Sequence, residues 1–158
     1  MSKIPLTVVG AELLRIELHN LKTVERPAVI ASIAEARAQG DLSENAEYDA
    51  AKERQSFVEG RILELESKLG SAQIIDPRTI NADGRCVFGA TVVLEDVQNG
   101  SSVTYQIVGD DEADIKQRKV SISSPIARAL IGKYSGDIAE VQAPGGNREY
   151  EVVDVQYI

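Results

Sequence analysis

The sequence predicts an α+β fold in two domains: a long antiparallel α-helical coiled-coil hairpin over residues 1–77, then a small antiparallel β-sheet domain with one helix over 78–158. Three observations predict it. Residues 11–69 are rich in Ala, Glu, Leu, Lys and Arg, the composition of long helices, whereas residues 85–158 are rich in Val, Ile, Thr and Tyr and punctuated by Gly, Pro and Asn. A three-four spacing of apolar residues runs from Tyr48 to Leu69. Between the halves, Asp76-Pro77 and Asn81-Ala82-Asp83-Gly84 read as a linker.

The first helix starts at Thr7 or at the Val9-Gly10 turn and carries Leu14, Leu18, Leu21, Ile30 and Ile33 on its apolar side. Pro27 lacks an N–H, so it interrupts the hydrogen-bond ladder and kinks the helix. Gly40 stops it, since glycine accepts the left-handed conformation that ends helices. In the second helix Tyr48, Ala51, Gln55, Val58, Ile62, Leu65 and Leu69 form an a/d seam broken only by Gln55, and Gly70 ends it. Two long helices joined by a few residues must lie antiparallel. At 1.5 Å per residue, about 27 residues make a rod roughly 40 Å long.

The second half reads as paired strands at Ala90–Glu95 and Ser102–Val108, joined across Gln98-Asn99-Gly100, and a short strand at Lys119–Ser123. Ser124-Pro125 then starts a helix through Ile131, with Ser as N-cap and Pro in the first turn. Ile138–Gln142 and Glu149–Tyr157 flank the turn Pro144-Gly145-Gly146-Asn147. In the last strand Val153, Val155 and Tyr157 alternate with polar residues, so they form its buried face.

Charge and composition narrow the function classes. The chain of 158 residues carries 25 acidic and 17 basic side chains, a net charge of −8, and both halves are acidic. Free-standing affinity for DNA or RNA needs clustered Lys and Arg, so a nucleic acid would be met only where a partner supplies the positive charge. A single Cys86 excludes a disulfide framework and a multi-cysteine zinc site, and is most simply a small buried apolar residue. His19, the one histidine, reads as a surface residue of helix one. No run approaches the ~20 apolar residues of a membrane span, and MSKIPLTVVG has no signal-peptide core. A cytoplasmic protein with no membrane partner is expected.

The turn between the helices carries the chemistry. Asp41 and Glu44 stand three residues apart where the second helix begins. One reading is capping: Asp41 as N-cap and Glu44 three positions on satisfy free N–H groups and suit the positive end of the helix dipole. The other is that two carboxylates at the end of a rod offer oxygen ligands to Mg²⁺, too few for a private site and enough to complete one on a partner. Arg37 before the turn, with Lys52 and Arg54 beyond it, forms either a small basic patch below the acidic end or ordinary solvated charges paired with Asp49 or Glu53.

At these residues the sequence resembles a known family. Ala34-Glu35-Ala36-Arg37, Gly40-Asp41-Leu42 and Glu44-Asn45-Ala46-Glu47-Tyr48 resemble the coiled-coil tip of the bacterial Gre transcript-cleavage factors. The resemblance continues through Asn81–Gly89, Ile107–Asp114 and Ser121–Gly132 to Pro144-Gly145-Gly146, nearly the whole chain in order. It implies an FKBP-like second domain, and a first domain that enters the secondary channel of bacterial RNA polymerase. There the factor would stimulate the polymerase's own Mg²⁺-dependent cleavage of a backtracked nascent RNA 3′ end, being itself no enzyme. The resemblance implies that Asp41 and Glu44 are catalytic and help hold a Mg²⁺ shared with the polymerase. It further implies that Arg37 and Lys52 contact RNA, and that Ser121, Ser123 and Pro125 dock on the polymerase. DNA would be met only within the elongation complex, and the factor would act as a monomer.

Three rivals remain. A secondary-channel regulator that does not promote cleavage needs bulk but no metal ligands. A plain coiled-coil adaptor would tolerate loss of the tip carboxylates. A peptidyl-prolyl isomerase needs an apolar aromatic pocket; there is no Trp, and Phe88 is the one phenylalanine in the second half, beside Tyr105, Tyr134, Tyr150 and Tyr157.

Overall fold

The computed structural model describes residues 3–40 and 45–158, and they divide into two compact units. One is Glu12–Ser71. The other joins the chain start, up to Ala11, with Ala72–Ile158. Composition places the boundary near residue 78, whereas the units divide at Ser71. The cause is a pair of four-residue strands: β1 (Ile4–Thr7) lies parallel to β2 (Ala72–Ile75), so the helices are an insertion between two paired strands. Strands this short leave no legible alternation in sequence.

The helical unit contains α1 (Val8–Asn20, its first residues belonging to the other unit), a π-turn (Leu21–Glu25), α2 (Arg26–Ala38) and α3 (Ala46–Gly70). The seam of α3 is as the spacing predicts: Ala51, Val58, Ile62 and Leu65 are buried, with Tyr48, Gln55 and Leu69 half-buried at its intermediate positions. The facing seam departs from expectation. Leu14 and Leu21 are buried and Leu18 half-buried, but Ile30 is 53% exposed and Val29 takes its place, followed by Ala36. Leu21 to Val29 is eight residues rather than the seven of a heptad. The extra residue is absorbed by the π-turn, in which the Arg26 N–H donates to the Leu21 carbonyl, five residues back. Pro27 sits in the first turn of α2, where a missing N–H costs little, so the interruption takes the form of this π-turn.

Ion pairs flank the seam. Arg61 makes a bidentate pair with Glu17 (2.7 and 2.9 Å) and Arg26 one with Glu59 (2.8 and 2.8 Å). Arg54 reaches Glu25 at 3.0 Å and Lys22 reaches Glu66 at 3.1 Å. The Arg61 guanidinium holds the Glu17 carboxyl below the ordinary carboxylate range and is itself raised by it.

The second unit is built on a five-stranded sheet in the order β5-β4-β3-β7-β6, from β3 (Thr91–Asp96), β4 (Ser102–Val108), β5 (Lys119–Ser121), β6 (Ile138–Ala143) and β7 (Gly146–Gln156). Its α4 (Pro125–Leu130) is capped by the Ser124 hydroxyl, as expected. The predicted sheet is antiparallel, but the observed one is mixed: β5 runs parallel to β4. Between them a short 3₁₀ turn (Ile115–Gln117) and the left-handed Arg118 (φ +61°) turn the chain back so that β5 runs alongside the last residues of β4, Lys119 opposite Gln106. A second correction concerns β7. Val152, not Val153, faces the core, and Val153 is 43% exposed, because the β3–β7 register slips between Val93 and Leu94. A bulge of one residue inverts the faces on either side of it, so alternation read from Tyr157 backward fails beyond Val155.

The core gathers Cys86, Val92, Leu94, Ile107, Leu130 and Val152, all fully buried. Burial pushes the Cys86 thiol up to about 11, reinforced by the Asp137 carboxylate. The chain start is fixed by Glu112, whose carboxylate accepts from the Thr7 N–H (3.0 Å), the Thr7 hydroxyl and the Gly109 N–H (3.1 Å). Thr7 in turn accepts from the Gly10 N–H at 3.0 Å, which caps α1. A Cβ on Gly10 would lie 1.9 Å from the Glu112 carboxyl carbon, so only glycine admits this approach.

Candidate functional site

The candidate residues fall in two places. At the hairpin turn, α2 ends with Arg37 and Ala38, and Gly40 takes φ +122°, the stop expected of it. Asp41 and Glu44 lie outside the described residues. The capping role considered for them falls instead to Asn45, which corrects the sequence expectation: α3 starts at Ala46, and the Asn45 side-chain oxygen accepts from the Tyr48 N–H at 3.0 Å. Its amide nitrogen donates to the Ala36 carbonyl at 2.8 Å. One side chain therefore satisfies a free donor of α3 and takes the second lone pair of an α2 carbonyl that also accepts from the Gln39 N–H at 3.3 Å, tying together the two ends of the segment that carries the acidic pair. Glu47 and Asp49 add negative charge in the first turn of α3.

Arg37 and Lys52 are both exposed near this end. The Lys52 ammonium donates to Gln55 on its own helix at 3.2 Å, and no bond joins it to Arg37 among the described residues. Arg54 is committed to Glu25 across the hairpin. A groove of about 300 Å³ lined by Ser32, Glu35, Glu47, Ala50, Ala51 and Arg54 runs between the helices here.

In the second unit, Ser121 closes β5, Ser123 lies in the connecting loop and Pro125 opens α4. The structure brings the two serines together around Asp110, with no such bond to Pro125 among the described residues. The Ser121 hydroxyl bonds an Asp110 carboxylate oxygen, and the Ser123 hydroxyl donates to that same oxygen at 2.7 Å. The two hydroxyl oxygens are 2.8 Å apart, and the Ser123 N–H donates to the Ser121 oxygen at 3.1 Å. Ser124 donates to the Ser121 carbonyl at 2.6 Å, so the loop is braced from both sides. Pro125 lines a groove of about 350 Å³ with Arg128, Ala129, Glu140 and Gln142.

Among the described residues no three His, Cys, Asp or Glu side chains gather as a metal site, and no helix is long and apolar enough to cross a membrane.

Two family models account for almost all of the chain. The model described as "Transcription elongation factor, N-terminal" matches residues 4–74, and "Transcription elongation factor, GreA/GreB, C-term" matches residues 81–157. The chain belongs to the GreA/GreB family of transcription elongation factors. Among curated members, "Transcription elongation factor GreA" of Ralstonia nicotianae is 71% identical over 158 residues, covering all of both chains. The protein of the same name from Neisseria meningitidis serogroup A is 68% identical over the same span. Among solved structures, the crystal structure of GreA factor homolog 1 of Thermus thermophilus is 29% identical, covers 98% of this chain and 99% of its own, and gives a TM-score of 0.44. A likeness at that score adds nothing to the family assignment.

Three GreA/GreB-family residues described here escape sequence reasoning. Asn45 was hidden beside two carboxylates that read more readily as caps. Asp110 and Glu112 lie in the acidic run Asp110-Asp111-Glu112, whose side chains point to separate tasks that sequence does not distinguish.

Proposed function

We propose that this GreA/GreB-family chain acts on bacterial RNA polymerase, entering its secondary channel with the helical hairpin and stimulating the polymerase's own cleavage of a backtracked RNA 3′ end. The observation that supports this most is family membership over almost all of the chain, combined with the presence of Asp41 and Glu44 in the segment between α2 and α3.

Asp41 and Glu44 offer carboxylate oxygens, the hard donors that Mg²⁺ takes, and two of them suffice only where other ligands come from a partner. When bound, Mg²⁺ supplies charge neutralisation and lowers the pKa of an attacking water. The chain's own contribution is to carry these two carboxylates to the site and hold their approach through Asn45. Arg37 and Lys52, exposed beside the turn, are placed to neutralise phosphates of the extruded RNA, Lys52 as a point charge rather than a bidentate fork. Ser121, Ser123 and Pro125 dock the second unit on the polymerase. The factor has no activity alone, works as a monomer in the cytoplasm, and meets DNA only within the elongation complex.

The test is a purified polymerase stalled in a backtracked complex. The wild-type protein accelerates release of short 3′ RNA fragments. Asp41→Asn with Glu44→Gln still binds and does not. Equal cleavage by both proteins removes the metal-ligand role, and a wild-type protein that binds without accelerating cleavage leaves a non-cleaving channel regulator.

A further inference from the structure

A cavity of about 400 Å³ in the second unit shares no lining residue with the groove at Pro125. The β1–β2 pair assembles it, setting Val8 and Val9, which follow β1, beside Pro77, which follows β2. Ile158 extends this apolar wall, and Gln106 and Lys119, opposite each other in the β4–β5 register, add a polar one. Val8 and Val9 stay 41% and 58% exposed, so the fold leaves apolar surface uncovered at the cavity. Most of the polar lining is already committed. Arg78 and Asp76 hold each other through two bonds of 3.2 Å, and their charges cancel. The Thr7 hydroxyl is taken by Glu112, and Gln106 donates to the Gly89 carbonyl at 3.3 Å. Lys119 differs: it is half-buried, and no carboxylate pairs with its ammonium among the described residues.

We infer that this cavity binds a small molecule with an apolar body and one carboxylate or phosphate group, its anionic end held by Lys119. The volume falls in the range of ligand pockets, roughly 300–1,000 Å³, which join an apolar wall to a few polar groups. Charge selects the head group. A half-buried ammonium without a counter-ion is stabilised by an anion, and hydrogen bonds to charged groups are about twice as strong as neutral ones. Val8, Val9 and Ile158 select the body, since a hydrocarbon chain or ring laid on them removes apolar area from water. The site needs neither the polymerase nor the acidic pair of the hairpin. Because its walls follow β1 and β2, the ligand binds only while those strands are paired, and it stabilises the fold as its concentration rises.

The test titrates two fluorescent probes against the full-length protein without polymerase. Anilinonaphthalene sulfonate has an aromatic body and one anionic group; phenylnaphthylamine is its neutral counterpart. The wild-type protein is expected to bind the sulfonate saturably and about tenfold more tightly than the neutral probe. Lys119→Met keeps the apolar stem, removes the charge and binds the two alike, and Lys119→Arg restores the preference. Val9→Asp sets a carboxylate in the exposed apolar wall and abolishes sulfonate binding with the melting temperature unchanged. Octanoate and octyl phosphate then compete for the sulfonate site, and the one effective at lower concentration identifies the head group. Both raise the melting temperature of the wild type and not that of Lys119→Met. Should Lys119→Met fail to fold, the wild-type preference and Val9→Asp decide alone. The inference is overturned if Lys119→Met binds the sulfonate as tightly as the wild type. It is equally overturned if the wild type binds both probes alike, or if neither octanoate nor octyl phosphate displaces the sulfonate.

Discussion

Asn45 shows how one side chain near the functional turn separates two tasks. Its oxygen caps α3 and its amide reaches back to Ala36. Asn45→Ala removes both, and thermal or urea unfolding should show a loss of about 1–2 kcal/mol. Asn45→Asp keeps the cap and loses the donor, so it should cost less; an equal cost would mean the cap contributes nothing. The Glu17–Arg61 pair makes a pH prediction. The Glu17 carboxyl is held below its ordinary range in the folded chain, so it binds a proton more readily when unfolded. Its contribution is therefore complete above the ordinary carboxylate range and is lost as pH falls through the lowered value. Glu17→Gln should flatten that acid limb in unfolding measured against pH, with an effect under about 1 kcal/mol at neutrality because the pair is partly solvated. At Cys86 the thiol is raised to about 11, so at pH 8 almost none is thiolate. A thiol reagent should label the native chain slowly and the denatured chain at once; fast native labelling would contradict the burial.

At the scale of elements, the long helices and most strands were legible because their periods repeat. The seam of α3 from Ala51 to Leu65 follows the spacing, with Gln55 its one polar position, and Ser124-Pro125 starts α4 where turn chemistry says it must. What was not legible depends on single-residue insertions and on contacts distant in sequence. The π-turn moves burial from Ile30 to Val29, and the β7 bulge moves it from Val153 to Val152. Neither has a signature, because one extra residue leaves local composition unchanged. β1 and β2 were missed since each is four residues long and finds its partner across the whole hairpin. Of the candidate site, Ser121, Ser123 and Pro125 were found by resemblance, whereas Asp110, which joins two of them, becomes visible only when the loop is folded. The shifted seam is testable: Val29→Ala should destabilise by about 2 kcal/mol, as loss of buried methyls does, and Ile30→Ala by less than about 0.5 kcal/mol. The reverse order in urea unfolding would place Ile30 back on the seam.

For the whole molecule, the net charge of −8 and the acidic turn argue in one direction. Such a chain is repelled by nucleic acid unless a basic partner intervenes, and two carboxylates hold Mg²⁺ weakly unless other ligands join them. Family membership over the full length then supports the polymerase as the body that supplies both. The central claim is that the chain lends metal ligands rather than merely occupying a channel. It is tested most directly by titrating Mg²⁺ against the rate of RNA cleavage in backtracked complexes saturated with factor. The wild-type protein should lower the Mg²⁺ concentration needed for half-maximal cleavage well below that of polymerase alone, while Asp41→Asn with Glu44→Gln leaves it where polymerase alone sets it. A wild-type protein that raises the rate without moving that concentration, or a variant that moves it equally, would contradict the claim.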